Sequence, residues 1–371
     1  MSDLSPDITS DELVALGVYD PNAPDAANTI TQLRSAIRLG ASSKELVEQR
    51  DSIGMLIASL QLRPPGGRYT LVEAAERAGV ALDRAITINR ISGFAEPKPD
   101  DRTFSEEDIE LFRLFHAGSE VFDEAIMLQL GRVMGWAMSR VADAMVSAFA
   151  TNVGTQSQST DIDDVELARM NELAVSMVPS AVQAMEVVLR RHMQLRSRSD
   201  IPTGEQWEGV DAIDRAIGFC DLVGYTSLTE ELSTRELAVV VADFENLAAD
   251  VVTEGGGSVV KLIGDEVMFV ALDPSAVAEI AFALVGAFER SDLPPVRVGL
   301  ASGRVLVREG DYYGAVVNLA ARIVKLAPPG GVLAPLAFRD SIGDAIVYED
   351  GGAPALKGFE TPIELARLHR A

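Results

Sequence analysis

The sequence predicts an α+β protein in two parts. Residues 1–195 read as all-helical, residues 211–371 as a domain built on one sheet, and residues 196–210 as the linker between them. At 371 residues the chain exceeds what one hydrophobic core usually serves. Up to about residue 195, apolar residues recur at three- and four-residue spacing, the helical period. From Asp214 on, short runs rich in Val, Ile and Phe alternate with helical segments, the pattern of helices laid against a sheet.

In the first part, helical periodicity covers 29–41, 43–60, 70–93, 105–118, 124–149 and 164–193. Thr70 with Glu73, and Ser105 with Glu107 or Asp108, have the spacing of helix starts. The polar, turn-prone 196–210 ends the pattern. Strands are then expected at 215–222, 258–264, 266–272, 296–307 and 331–338, with a C-terminal strand pair; helices are expected at 234–254, 275–290 and 315–327.

Composition narrows the function. The net charge of −24 comes from 30 acids and 19 bases in residues 1–200, and 26 acids and 13 bases in residues 201–371. Neither half has the clustered Lys and Arg that neutralise nucleic-acid phosphates, so a polyanionic substrate needs local help, most simply from metal ions. Cys220 is the lone cysteine, which excludes an intrachain disulfide and points to a reducing, cytoplasmic setting. The N-terminal "MSDLSPDITSDELVAL" is acidic and does not resemble a secretory leader. Arg132, Arg140, Glu186 and Arg190 interrupt the apolar stretches before the roughly eighteen clean residues of a membrane span, so none is expected.

Two carboxylates stand where apolar runs give out: Asp221 in "FCDLVGYTSL" and Asp265 in "KLIGDEVMFV". Each alone suits a turn. As a pair at neighbouring strand ends they would repel without a cation between them. Mg²⁺ keeps waters and substrate phosphates in its shell, so two protein carboxylates suffice to hold it.

"FCDLVGYT", "KLIGDEVMFV" and "GDYYGAVVNLAARI" together resemble the catalytic domain of class III adenylyl cyclases over about residues 211–371. The resemblance implies a ferredoxin-like, palm-type fold and conversion of ATP to cyclic AMP and pyrophosphate. It implies two Mg²⁺ or Mn²⁺ ions per active site on Asp221 and Asp265, with the Leu222 carbonyl as a further ligand. Adenine recognition falls to Lys261 and Asp311, ribose and transition-state contacts to Asn318 and Arg322, and outer phosphates to Lys357 in "ALKGF", the weakest of the matches. It further implies a homodimer whose active sites are shared between subunits.

The residue types suit those roles. Asn318 and Arg322 stand at i and i+4, hence on one face of a helix whose other positions are apolar. An Arg fork matches charge building on a five-coordinate phosphorus better than Lys does. An Asp acceptor beside a Lys donor fits the adenine edge, and guanine reverses that pattern. His116, His192 and His369 lie outside the motifs, as expected for chemistry that needs no nucleophilic side chain. Guanylyl or diguanylate cyclase is the alternative. "GDEV" is similar to the diguanylate loop, yet Ile263 stands where that loop has its second Gly, and Asn318 and Arg322 have no place in that scheme.

The helical part resembles the autoinhibitory, pH-sensing domains fused to some bacterial class III cyclases. Within it, 69–93 resembles a helix-turn-helix, and 103–115 the helix that follows one in MerR-type DNA-binding regulators. Charge opposes DNA binding: 69–93 holds three acids and three bases, and residues 1–200 sum to −11. Eight of the eleven Met fall at 127, 134, 138, 145, 170, 177, 185 and 193, on single helix faces. That pattern suits a malleable core or dimer seam, with an apolar pocket for a lipid-like effector as the sharper alternative. Histidine is the side-chain type suited to sensing pH near neutrality; His116 and His192 are the two in this part, and His192 sits in the basic run leading to the linker.

Overall fold

The computed structural model describes residues 4–5, 7–64, 66–159, 173, 175–199, 212–342, 346–359 and 361–370. The chain divides into two compact units, Met1–Ile201 and Pro202–Ala371. Much of the expected linker, 200–210, and Met170 lie outside the described residues. Among the described residues no helix is long and apolar enough to cross a membrane.

Among its described residues the first unit is built of helices, apart from one isolated bridge between Tyr69 and Phe104. Thr9, Ser42, Thr70 and Ser105 each cap a helix in a reciprocal box with an acid three residues on, which satisfies backbone N–H groups that the first turn leaves free. The expected 43–60 helix is interrupted by a 3₁₀ turn at Arg50–Ser52. The 70–93 stretch is two helices, Leu71–Ala78 and Leu82–Ile91, because Gly79 adopts φ 74° and ends the first. Helix Glu124–Ser159 carries Met127, Met134, Met138 and Met145, and helix Val178–Ser199 carries Met185 and Met193, with Met177 just before it. Met134, Met138, Met145, Met177 and Met193 are exposed, so among the described residues these methionines form no buried core.

The second unit is one sheet. Its strands are β1 (Ala212–Leu222), β2 (Ser258–Ile263), β3 (Glu266–Ala271), β4 (Val296–Arg308), β5 (Asp311–Tyr313), β6 (Val332–Pro335), β7 (Ile346–Asp350) and β8 (Leu365–Arg370). Their order is β2-β3-β1-β4-β6-β8-β7, with β5 paired to β4. All pairings are antiparallel except β4 with β6.

Strand parity decides what each face carries, since successive side chains point to opposite sides. Ala216, Cys220 and Leu222 of β1, with Val267 and Phe269 of β3, pack beneath helices Thr234–Glu254 and Pro274–Glu289. Ile217, Phe219, Met268 and Val270 point the other way, against Ala320 and Val324 from the helix Ala315–Ile323 and the turn after it. Asp221 continues the Ile217–Phe219 row, so it emerges beneath that helix and turn.

Gly299 sets how closely the 315–323 helix approaches. A Cβ there would collide with the Val324 amide and the Ala320 carbonyl. Gly299→Ala is therefore expected to destabilise the unit by about 1–3 kcal/mol, because backbone must shift to admit it. Urea unfolding checks this; an unchanged midpoint would count against the close approach.

Candidate active site

Three charged residues form a row across the sheet. The β1–β3 register sets Asp221 opposite Glu266, and the β1–β4 register sets it opposite Arg297. Directly opposed side chains on one face are near neighbours. Asp221 is 2% exposed and is the only buried charged residue among the described residues. A carboxylate so placed needs compensation. Arg297 supplies it through Nε at 2.6 Å and Nη2 at 2.5 Å from Oδ2. Lys325, in the 3₁₀ turn Val324–Leu326, sets its Nζ 2.7 Å from Asp221 Oδ1 and 2.6 Å from Glu266 Oε2. Burial opposes the Lys325 charge, but hydrogen bonds to Asp221 and Glu266 outweigh it and push its pKa up.

Asp265 sits at the tip between β2 and β3, where Gly264 takes φ 64° to make the turn. Its carbonyl accepts the Leu222 N–H at 2.9 Å, which ties the hairpin tip to the end of β1. The two carboxylate-bearing segments are thereby neighbours. Among the described residues the Asp265 side chain has no ion-pair partner.

Lys261 on β2 and Asp311 on β5 meet across fifty residues of chain, Nζ to Oδ2 at 2.6 Å. The Tyr312 N–H donates to Asp311 Oδ1 at 2.8 Å and holds the carboxylate in place. Asn318 is exposed and Arg322 half-buried, four residues apart on the 315–323 helix. The Arg322 guanidinium carbon lies 5.3 Å from the centre of the Phe359 ring, which brings the turn carrying Lys357 beside it. Lys357 itself is exposed. Arg322 pairs with no carboxylate among the described residues. In one chain, then, Lys261 meets Asp311, Asp221 neighbours the Asp265 tip, and Arg322 faces the 357–359 turn.

The sequence pattern of the adenylate and guanylate cyclase catalytic domain matches residues 208–335. Over 280 residues the chain is 34% identical to an adenylate cyclase of Streptomyces coelicolor, covering 74% of this chain and 72% of that one. The chain belongs to the adenylate and guanylate cyclase family. The cyclase is also 34% identical over 369 residues to an uncharacterized protein of Mycobacterium tuberculosis, covering 97% of this chain and 94% of that one. It is 28% identical over 332 residues to a pH-sensitive adenylate cyclase of the same species, covering 85% of this chain and 82% of that one.

Within the cyclase, the matched region holds Asp221, Lys261, Asp265, Asp311, Asn318 and Arg322, whereas Lys357 and Phe359 lie beyond it. Among the described residues no group of three or more His, Cys, Asp or Glu forms a metal cage. The donors that do converge still suit a hard divalent cation. Asp221 and Glu266 already share one cation, the Lys325 ammonium, and the unpaired Asp265 carboxylate belongs to the adjoining tip.

Arg297, Lys325 and Glu266 did not emerge from sequence reasoning. An Arg between Val296 and Val298, and a Glu opening the apolar β3, were available signals, but their meaning depends on strand register. Lys325 gave no signal at all.

Cys220, beside Asp221, points into the opposite core and is fully buried. Burial first, then the Asp221 and Glu266 charges, push its thiol pKa far up. The native cyclase is expected to resist alkylation by iodoacetamide at neutral pH and to react once denatured. Mass spectrometry reads the outcome, and rapid native labelling would contradict the burial.

Proposed function

We propose that the protein converts ATP to 3′,5′-cyclic AMP and pyrophosphate as a cytoplasmic homodimer with shared active sites. Residues 211–371 form its catalytic domain, 196–210 the linker and 1–195 its regulatory domain. Asp221 and Asp265, with the Leu222 carbonyl, hold two Mg²⁺ or Mn²⁺ ions. Such ions neutralise the triphosphate and lower the pKa of the ribose 3′-hydroxyl that attacks the α-phosphorus. The chain's own groups bind and orient. Lys261 donates to a ring nitrogen of adenine and Asp311 accepts from its amino group. Asn318 positions the ribose, Lys357 meets the outer phosphates, and Arg322 takes up charge that grows on the phosphoryl oxygens.

The 2.6 Å Lys261–Asp311 contact carries the ATP reading: a donor and an acceptor are held side by side, the pattern that the adenine edge complements. Full-length protein given ATP or GTP with Mn²⁺ tests it, with products separated by chromatography. Cyclic AMP from ATP, with little turnover of GTP, is the expected result; cyclic GMP or cyclic di-GMP as main product would overturn it.

The helical unit restrains the catalytic unit in a pH-dependent way, a reading supported by similarity to a pH-sensitive adenylate cyclase over 85% of the chain. Activity of the full chain and of residues 200–371 is expected to follow different pH profiles. Coincident profiles would remove the regulatory role.

A further inference from the structure

We propose that the Lys325 ammonium is an internal counter-cation. It holds the Asp221–Glu266 carboxylate pair together in the metal-free enzyme and leaves when a divalent ion binds, so this side chain sets the affinity of the site for its metal. The inference rests on the reading of Asp221 as a metal ligand.

Two cations meet Asp221, and they differ in how readily they can leave. Arg297 approaches from the neighbouring strand with two nitrogens on Oδ2, while its Nη1 donates to the Lys325 backbone carbonyl at 3.2 Å. A planar fork anchored at three points is a fixed part of the site. Its side chain is 27% exposed. Lys325 is 53% exposed and brings one point charge on a flexible stem from a 3₁₀ turn at the rim of the sheet. Water is open to it when it swings away, so its release carries little desolvation cost.

What Lys325 holds is also informative. Asp221 and Glu266 are directly opposed on one face, and like charges so placed repel. Its Nζ lies within 2.7 Å of a carboxylate oxygen from each residue. A monovalent ammonium is therefore bonded to the same Asp221 carboxylate that a divalent ion needs, and the two cations compete for it. Ion binding releases Lys325; ion loss lets it return, which keeps the buried Asp221 from standing with Glu266 uncompensated. Arg297 remains in both states as the permanent partner.

The test measures Mn²⁺ binding to full-length protein without nucleotide, from the electron paramagnetic resonance signal of the free ion. Lys325→Met is expected to bind Mn²⁺ about tenfold more tightly than the parent, the scale of one charge pair removed near a protein surface. Lys325→Arg, which keeps the charge and adds a fork that is harder to displace, is expected to bind Mn²⁺ no more tightly than the parent. The thermal midpoint gives a second readout: Lys325→Met lowers it without metal and enlarges the rise on adding Mn²⁺. Lys325→Gln serves if the Met variant fails to fold. Asp221→Asn controls for the site and is expected to abolish this binding in either background. Equal or weaker binding by both neutral variants overturns the inference and leaves the metal reading standing. Absence of any Asp221-dependent binding, in parent and neutral variants alike, overturns both.

Discussion

Asp221→Asn is expected to lower cyclic AMP formation by at least about a thousandfold, since the charge stabilisation supplied by bound ions is several kcal/mol of the barrier. Geometry makes this position less replaceable than Asp265. Asp221 is buried at the centre of the Glu266–Asp221–Arg297 row, with both oxygens engaged, whereas Asp265 sits at a hairpin tip. The neutral amide also leaves Arg297 without its anion, while Lys325 keeps Glu266. Both side chains reach solvent, so the accompanying loss of stability is expected to be modest, about 1–3 kcal/mol. Steady-state assay with Mn²⁺, paired with thermal unfolding, separates the two effects. Retention of a tenth or so of the activity in a folded Asn variant would contradict the assignment of ligands.

Arg322→Ala is the second large effect. The side chain bonds to no carboxylate among the described residues and rests against the Phe359 ring, so its guanidinium is held ready without being neutralised. A charge of that kind, aimed at a developing oxyanion, acts in the transition state more than in the ground state. The rate constant kcat is expected to fall roughly a hundredfold or more while KM for ATP changes little. Lys in its place restores charge without the fork and is expected to recover only a small part. A rise in KM at constant kcat would instead make Arg322 a binding residue. The two variants also test subunit sharing. In the proposed homodimer with shared sites, mixing equal amounts of Asp221→Asn and Arg322→Ala chains would give hybrids in which one of two sites is intact, so about a quarter of the parent activity should return. No recovery would favour sites complete within one chain.

How much of this was legible from residues alone varies with the range of the interaction. The short apolar runs at 215–222 and 266–271, set between helical segments, announce strands, and the 315–323 helix with Asn318 and Arg322 on one face follows from i,i+4 spacing. Gly79 splits the 70–93 helix through its own backbone preference, and that split is a local fact. The methionine pattern was legible as a face, yet its exposure in the single chain was not, because periodicity says which residues share a side and not what covers it. The short strand β5 was missed since its three residues carry no period of their own.

Without coordinates, the motifs around Asp221, Lys261, Asp265, Asp311, Asn318 and Arg322 already carry the family resemblance, because each motif is a short run of residue types, and the helical spacing of Asn318 and Arg322 is local as well. Pairing of distant segments is different. Asp221 meets Arg297, Glu266 and Lys325 only through antiparallel registers and a close helix–sheet contact at Gly299, and a one-residue slip would turn Asp221 into the opposite core. Register reflects the packing of both sheet faces at once, a property of the whole unit, which is why the cations around Asp221 belong to the folded structure and to no motif.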